Sequence, residues 1–147
     1  MTPKRTAFVV DDDVVYAKGI GHQMQKLNFE VKYFSSGTSC MEQLTTAPDL
    51  IILDQDLGEK TTGLEYLQKI KNITRKIPVL LLLAKSDINS AVEALKLGAY
   101  DYIEKDNASF FPRLRISLYD LDIEKKRKFW TALKWFRKEV FNLYNIY

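Results

Sequence analysis

The sequence has few of the residues that build disulfide frameworks and histidine-based sites. Of its 147 residues, one is a cysteine, Cys40, and one is a histidine, His22. A lone cysteine cannot close an internal disulfide, and neither residue has a partner at metal-ligand spacing. Apolar runs stay well short of the roughly 20 residues that cross a bilayer, and the N-terminal run is too short for a signal peptide. We therefore expect a cytoplasmic protein that makes no membrane contact.

The C-terminal part lacks helix breakers, since no glycine follows Gly98 and no proline follows Pro112. It is also basic: residues 112–147 carry 9 basic and 4 acidic side chains, against 13 and 15 in residues 1–111. Apolar side chains recur there in steps of four and three, at Phe129, Leu133, Phe136, Val140, Leu143 and Tyr147. This spacing predicts one long helix, about 50 Å if it is unbroken. We expect it to dimerise through residues 125–147, and DNA binding is the weaker interpretation because no helix-turn-helix follows.

The body of the chain alternates short apolar runs with amphipathic segments. Its 46% hydrophobic and 28% charged residues suit one soluble domain with a full core. The apolar runs predict five strands, at residues 7–10, 29–34, 50–53, 78–84 and 101–104. Helical spacing predicts helices at residues 14–27 and 38–45, after Gly63, and from a cap at Ser86 or Asp87 to residue 97. This order is typical of an α/β protein with a doubly wound parallel sheet.

Charged residues follow three of the predicted strands: Asp11 and Asp12 the first, Asp54 the third and Lys105 the fifth. The carboxyl ends of parallel strands share one edge of the sheet, so we expect these side chains to lie together. Three carboxylates repel one another unless a cation joins them, and oxygen-only ligands suit Mg²⁺. A carboxylate in such a site can attack a phosphoryl group, whose oxygens a lysine can neutralise. The alternative interpretation is a solvated loop at residues 11–13 and a surface charge at Lys105.

Five motifs follow one another along the body. They are VVDDD at residues 9–13, PDLIILDQDL at 48–57, Gly63 leading into LEYLQKIK, PVLLLLA at 78–84 and GAYDYIEK at 98–105. In this order and spacing the chain, over about residues 5–122, resembles the receiver domain of two-component response regulators. The resemblance implies a flavodoxin-like receiver fold with strand order 2-1-3-4-5. It places a receiver domain at residues 1–122 and a helical extension at residues 123–147.

The resemblance also implies the roles of the site residues. Asp11, Asp12 and Asp54 would hold Mg²⁺, with the backbone carbonyl of Asp56 as a further ligand. Asp54 would accept phosphate from a histidine kinase or a phosphotransfer protein, and Lys105 would contact the phosphoryl group. No dedicated enzyme activity is expected beyond self-catalysed phosphotransfer to Asp54 and its autodephosphorylation.

The sequence departs from the receiver pattern where phosphorylation is normally transmitted. Leu83 stands at the end of the fourth strand in place of the usual Thr or Ser, although Tyr102 matches the aromatic switch position. A hydrogen bond to a charged group is worth roughly 1.5 to 3 kcal/mol, while a switch from 1:99 to 99:1 needs about 5.5. Asp106 replaces the proline that follows the lysine. The loop at residues 54–63 is one residue longer than usual and lacks its proline, and Asp56 could add negative charge at the mouth of the site.

These features leave three functional hypotheses. The first is a phosphorylatable receiver that signals through protein contacts, as the set of Asp11, Asp12, Asp54 and Lys105 indicates. The second is a degenerate receiver that binds proteins independently of phosphorylation, which Leu83 favours. The third is a Mg²⁺-dependent phosphatase, but the chain has no insertion large enough for a substrate cap.

Overall fold

Five strands form one parallel sheet in the order β2-β1-β3-β4-β5, as predicted. The structure is a computed structural model, which describes residues 3–105 and 108–144, and the side chains of residues 3–105 and 108–140. The strands are β1 Arg5–Val10, β2 Phe29–Phe34, β3 Leu50–Asp54, β4 Val79–Leu83 and β5 Asp101–Glu104. Every residue of β3 and β4 is buried, because these strands lie inside the sheet and are covered on both faces.

Helices follow the strands in the predicted alternation. They are α1 Val14–Lys26, α2 Gly37–Glu42, α3 Gly63–Ile73, α4 Ile88–Lys96 and α5 Phe110–Tyr144. The second helix is shorter than predicted and gives way to a 3₁₀ turn at Leu44–Thr46. Ala47 then adopts a left-handed conformation, with φ of 50°. The helix cannot continue there because the residue before Pro48 is disfavoured in the α region.

The interior is apolar, and Cys40 belongs to it. Cys40 of α2 is 1% exposed and lies in the core cluster with Phe8, Val10 and Leu53. Burial raises the pKa of its thiol to about 12, so it behaves as a small apolar side chain. This agrees with the prediction that Cys40 is a small helix residue.

Side-chain caps fix where four helices begin, and Ser36 caps α2 by accepting a hydrogen bond from Ser39 N. Asp13 accepts hydrogen bonds from Val15 N and Tyr16 N at the start of α1, and Asp87 caps α4 by accepting one from Ser90 N. Thr62 and Glu65 form a capping box at the start of α3. Because each cap follows the carboxyl end of a strand, the loops that carry the caps share the edge of the sheet at which the predicted site lies.

The chain divides into two compact units, Met1–Phe111 and Pro112–Tyr147, with the division inside α5. The predicted domain boundary after residue 122 therefore stays a prediction. Helix α5 has 35 residues, which makes it about 50 Å long, as expected. Between residues 119 and 140, whose side chains are all described, none is buried. In the part of the chain that the structure describes, no helix has the length and apolar content to cross a bilayer.

Gly63→Ala should lower the free energy of unfolding by about 1 to 3 kcal/mol, since a Cβ there would overpack the start of α3. It would stand 2.3 Å from the carbonyl oxygen of Asp54 and 2.6 Å from Cα of Gln55, and backbone cannot move aside easily. Urea unfolding measures the change. Gly19→Ala is the matched control, because a Cβ in that part of α1 would come no closer than 3.4 Å to the Phe111 ring. It should be neutral or stabilising by up to about 1 kcal/mol, and an equal loss in both variants would contradict this interpretation.

Candidate functional site

Three strands bring Asp11, Asp54 and Lys105 to one edge of the sheet. Asp11 follows β1, Asp54 is the last residue of β3, and Lys105 follows β5. The backbone fixes the two flanking residues, because Asp11 N donates to Phe34 O (3.0 Å) and Lys105 N donates to Leu83 O (2.7 Å). The predicted meeting of strand ends is therefore observed for these three side chains.

The Lys105 ammonium joins the two carboxylates. Its Nζ lies 2.9 Å from Asp11 Oδ2 and 2.9 Å from Asp54 Oδ2. The side chains of Asp11, Asp54 and Lys105 are 0%, 5% and 15% exposed, so the three charges meet almost out of contact with solvent. Charged groups buried in this way need partners, because the loss of one partner would leave an uncompensated charge inside the protein.

Burial raises the pKa of Asp54 to about 7, from an ordinary value of 3.8. The Lys105 hydrogen bond and charge lower this pKa, while the nearby charge of Asp11 adds to the rise. For Lys105, burial alone would lower the pKa, but its hydrogen bonds to Asp11 and Asp54 outweigh that effect and raise it. The ammonium therefore stays charged, and Asp54 holds a proton more readily than an exposed aspartate does.

Asp12 completes an acidic cluster with Asp11 and Asp54. One carboxylate oxygen from each lies within 4.8 Å of the others, and Asp12 is exposed while the other two are buried. Mg²⁺ holds oxygen ligands at about 2.0 to 2.1 Å, so ligand oxygens around it stand roughly 3 to 4 Å apart. The cluster therefore fits a small divalent cation after slight side-chain rotation, with Asp12 on the side open to solvent.

The loop after β3 is tied to the site and to α2. Asp56 N donates to Asp54 Oδ1 at 3.3 Å, and the Asp56 side chain accepts a hydrogen bond from Gly58 N at 3.1 Å. Further along, Glu59 accepts hydrogen bonds from Gly37 N (3.0 Å) and from the Tyr66 hydroxyl (2.6 Å). These contacts fix the long loop without the usual proline. Glu59 had no assigned role in the sequence, since nothing local marks it as a partner of α2.

Comparisons with known proteins agree with this geometry. Residues 7–110 match the family model of the response regulator receiver domain. The chain belongs to the response regulator receiver family. This assignment favours the receiver hypotheses over the phosphatase hypothesis, and it accounts for the fold and for the place of the acidic cluster.

The relatives of this receiver include longer proteins. The transcriptional regulatory protein QseB of Haemophilus influenzae is 37% identical over 98 residues, which cover 66% of this chain and 44% of QseB. ZraR of Escherichia coli is 36% identical over 98 residues, which cover 66% of this chain and 22% of ZraR. The crystal structure of the NtrX receiver domain from Brucella abortus matches with a TM-score of 0.71 and 29% identity, covering 78% of this chain and 95% of that one. The chain spans less than half the length of these two curated relatives.

Leu83 ends β4, where the resemblance implies a Thr or Ser. Leu83 is 1% exposed and belongs to the core cluster with Leu53, Leu81 and Ala91, so an apolar side chain ends the strand. Tyr102 is partly buried and packs against the same cluster. Asp106, the replacement for the usual proline, lies outside the described residues.

Tyr16 is a second residue that sequence reasoning missed. Its ring lies under the Lys105 ammonium, with 4.5 Å between Nζ and the ring centroid. Tyr16 sits in the first turn of α1, where an aromatic residue looks like an ordinary core position. Its contact with a residue 89 positions away leaves no local signal in the sequence.

Asp54→Asn should stabilise the metal-free receiver, and by more at neutral than at acidic pH. Because the folded-state pKa of Asp54 is raised to about 7, its carboxyl contributes stability below its ordinary pKa of 3.8 that is lost as the pH rises through about 7. An amide does not titrate. The gain in free energy of unfolding should therefore grow between about pH 4 and pH 7 and then level off. Urea unfolding in EDTA across this range measures it, and a gain independent of pH would contradict the raised pKa.

Proposed function

We propose that this receiver is a phosphorylatable signalling switch, in which Asp54 accepts a phosphoryl group from a histidine kinase or a phosphotransfer protein. The observation that carries the proposal is the pairing of one ammonium, Lys105, with Asp54 and Asp11 at 2.9 Å each, beside Asp12. A merely structural role would be better served by apolar residues, since buried ion pairs are often no more stabilising than well-packed hydrophobic side chains.

The chemistry requires a nucleophile and a counter-charge. A carboxylate oxygen of Asp54 attacks the phosphorus, and the bond from phosphorus to the donor nitrogen breaks, with its electron pair leaving on the donor. The Lys105 ammonium already contacts Asp54 Oδ2, so it stands where an anionic phosphoryl oxygen would arrive. From there it would neutralise that charge by following the phosphoryl oxygen.

The acidic cluster supports the role of a divalent cation in this proposal. Asp11, Asp12 and Asp54 would hold Mg²⁺ with their carboxylates, and Asp56 would do so with its backbone carbonyl. Bound Mg²⁺ would offset the repulsion between the carboxylates and the incoming phosphoryl oxygens. The hydrogen bonds of Asp56 N to Asp54 and of Gly58 N to Asp56 support the last assignment, because they hold that loop against the site.

Leu83 supports a second candidate function, a degenerate receiver that binds partners independently of phosphorylation. Leu83, the last residue of β4, has no hydroxyl to bind a phosphoryl oxygen, and its side chain is packed in the core. The missing hydrogen bond would supply about 1.5 to 3 kcal/mol of the energy of a switch. Phosphorylation could then occur without changing which partners bind.

Asp54→Asn should abolish the labelling of the receiver by a small acyl phosphate in the presence of Mg²⁺, because the amide cannot take the phosphoryl group. The mass of the intact protein shows one added phosphoryl group or none. Asp49→Asn is the matched control, since Asp49 immediately precedes β3, at the opposite end of the strand from Asp54. The Asp49→Asn variant should still be labelled. Labelling of the Asp54→Asn variant would contradict the assignment of Asp54 as the phosphoryl acceptor. A wild-type chain that is never labelled would favour the degenerate receiver.

We propose further that two copies of the chain associate through a tail stripe, defined as Phe129, Leu133, Phe136 and Val140. The first three side chains are 60%, 40% and 62% exposed, and all four lie on one side of α5 in steps of four and three. Such a row of exposed apolar side chains is costly in water and typical of an interaction surface. Leu143 and Tyr147, which continue the spacing in the sequence, lie outside the described side chains.

The charges along α5 oppose the association of two copies at low salt. Residues 120–124 carry three acidic and no basic side chains, whereas residues 125–138 carry seven basic and no acidic ones. Parallel helices would set one basic segment against the other. Antiparallel helices joined through the tail stripe would do the same, because the basic segment 125–138 overlaps the stripe at residues 129–140.

Phe136→Ser should shift the chain towards the monomer, because it removes an apolar side chain from the tail stripe. Trp135→Ser is the matched control, since Trp135 is similarly exposed (64%) but lies outside the stripe. Sedimentation equilibrium over a range of concentrations and salt measures the mass, and added salt should strengthen the dimer because it screens the repulsion between the two basic segments. A wild-type chain that is monomeric throughout, or equal effects of the two variants, would rule out the stripe as the interface.

A further inference from the structure

We propose that Tyr16 is a positioning residue for Lys105. We propose also that a displacement of Lys105 at the acidic cluster is transmitted through the Tyr16 ring to Phe110 in the first turn of α5. The inference deepens the proposed function and rests on it for its consequence in phosphotransfer. Tyr16, Lys105 and Phe110 all belong to the unit Met1–Phe111.

The Lys105 ammonium has three N–H donors and is held on three sides. Two donors reach Asp11 Oδ2 and Asp54 Oδ2, and the Tyr16 ring faces the ammonium at 4.5 Å. An ammonium this close to a ring face is attracted by the negative π cloud, and the attraction is strongest where water is excluded. The ring therefore limits where Nζ can lie while it remains paired with both carboxylates.

The backbone of Tyr16 is fastened to the same acidic loop. Asp13 N donates to Asp11 Oδ1 at 3.0 Å, and Asp13 Oδ1 accepts from Tyr16 N at 3.1 Å. Two hydrogen bonds thus connect Asp11, which pairs with Lys105, to Tyr16, whose ring also contacts Lys105. The ring is placed relative to the pocket by the cap of α1 as well as by its packing.

The Tyr16 ring also contacts an aromatic side chain, that of Phe110. Its centroid lies 5.1 Å from that of Phe110, edge to face at 71°, and Phe110 meets Phe111 in the same manner at 5.1 Å. Phe110 is 3% exposed, so its ring has little freedom to turn away. A displacement of the Tyr16 ring should therefore change the packing of Phe110.

A phosphoryl group on Asp54 would change the position of Lys105. It replaces a carboxylate oxygen at 2.9 Å by more distant and more strongly charged oxygens, which the ammonium would follow. Movement of Nζ would alter the contact between Lys105 and the Tyr16 ring. A displaced Tyr16 ring would in turn alter its contact with Phe110. This route needs no hydroxyl on β4, where Leu83 stands.

The first test reads the position of Lys105 by NMR in the full chain. The ring current of Tyr16 should shift the Lys105 ε-methylene protons upfield. The shift should persist in Tyr16→Phe, which keeps the ring, and disappear in Tyr16→Leu, or in Tyr16→Met if the first variant does not fold. Tyr119→Leu, at a tyrosine that is 67% exposed on α5, is the matched control and should leave it unchanged. An unchanged shift in both Tyr16→Leu and Tyr16→Met would overturn the proposal.

The second test asks whether Phe110 senses Lys105. Lys105→Met should move the Phe110 ring resonances in the wild-type background and leave them nearly in place in the Tyr16→Leu background. Equal movements in the two backgrounds would overturn the coupling. Neither NMR test needs phosphorylation, so a chain that cannot be labelled would defeat the proposed function while these two results still decide the inference.

The third test measures the labelling rate with the small acyl phosphate and Mg²⁺. Tyr16→Leu should slow labelling about three- to tenfold, as expected from loss of an ammonium–ring contact, and Tyr16→Phe should restore it to within about twofold. Slowing that is equal in Tyr16→Phe and Tyr16→Leu would show that the hydroxyl, not the ring, matters, and would contradict the proposal.

Discussion

One buried ammonium between two buried carboxylates explains most of this architecture. Lys105 is separated from Asp11 by 94 residues and from Asp54 by 51, yet it lies 2.9 Å from both. The pairing is possible because β1, β3, β4 and β5 are parallel neighbours in that order, so that their carboxyl ends share one edge. The sheet order is thus a condition for the site, and the hydrophobic residues that build the strands also set the positions of the charges.

Burial stabilises the apolar strands but destabilises the charges of the acidic cluster. The strands gain from complete burial, but the same burial raises the pKa of Asp54 to about 7 and makes its charge costly. Lys105 offsets part of that cost, and a cation among Asp11, Asp12 and Asp54 would offset more. Ionised groups that are held close together lower the stability of the protein, and a ligand that rearranges their charges can restore it. This property is useful in a switch, whereas it costs stability in a purely structural core.

The sequence was sufficient for features that depend on local pattern and insufficient for those that depend on distant contacts. Apolar runs located all five strands, and strand-end charges located Asp11, Asp54 and Lys105, because parallel strands bring their ends together wherever they occur. The contact between Tyr16 and Lys105, and that between Glu59 and Gly37, each join segments whose relative placement only the packed structure fixes. The early end of α2 at Glu42 was also missed, since the sequence does not mark where the helix gives way to the 3₁₀ turn at Leu44–Thr46.

In the proposed function, Leu83 would separate two properties, the capture of a phosphoryl group and the transmission of that event. Capture would use Asp54, Lys105 and the acidic cluster, and the structure brings these residues together. Transmission needs an element whose energy differs between the two states, and a ligand shifts an equilibrium only by its differential affinity for them. An apolar Leu83 contributes no hydrogen bond to either state. In the proposed function a shift would then come from groups that contact the acidic cluster directly, and the described Lys105 ammonium also contacts the Tyr16 ring. In this receiver the lysine that stabilises the site is thus the best-placed residue to report on it.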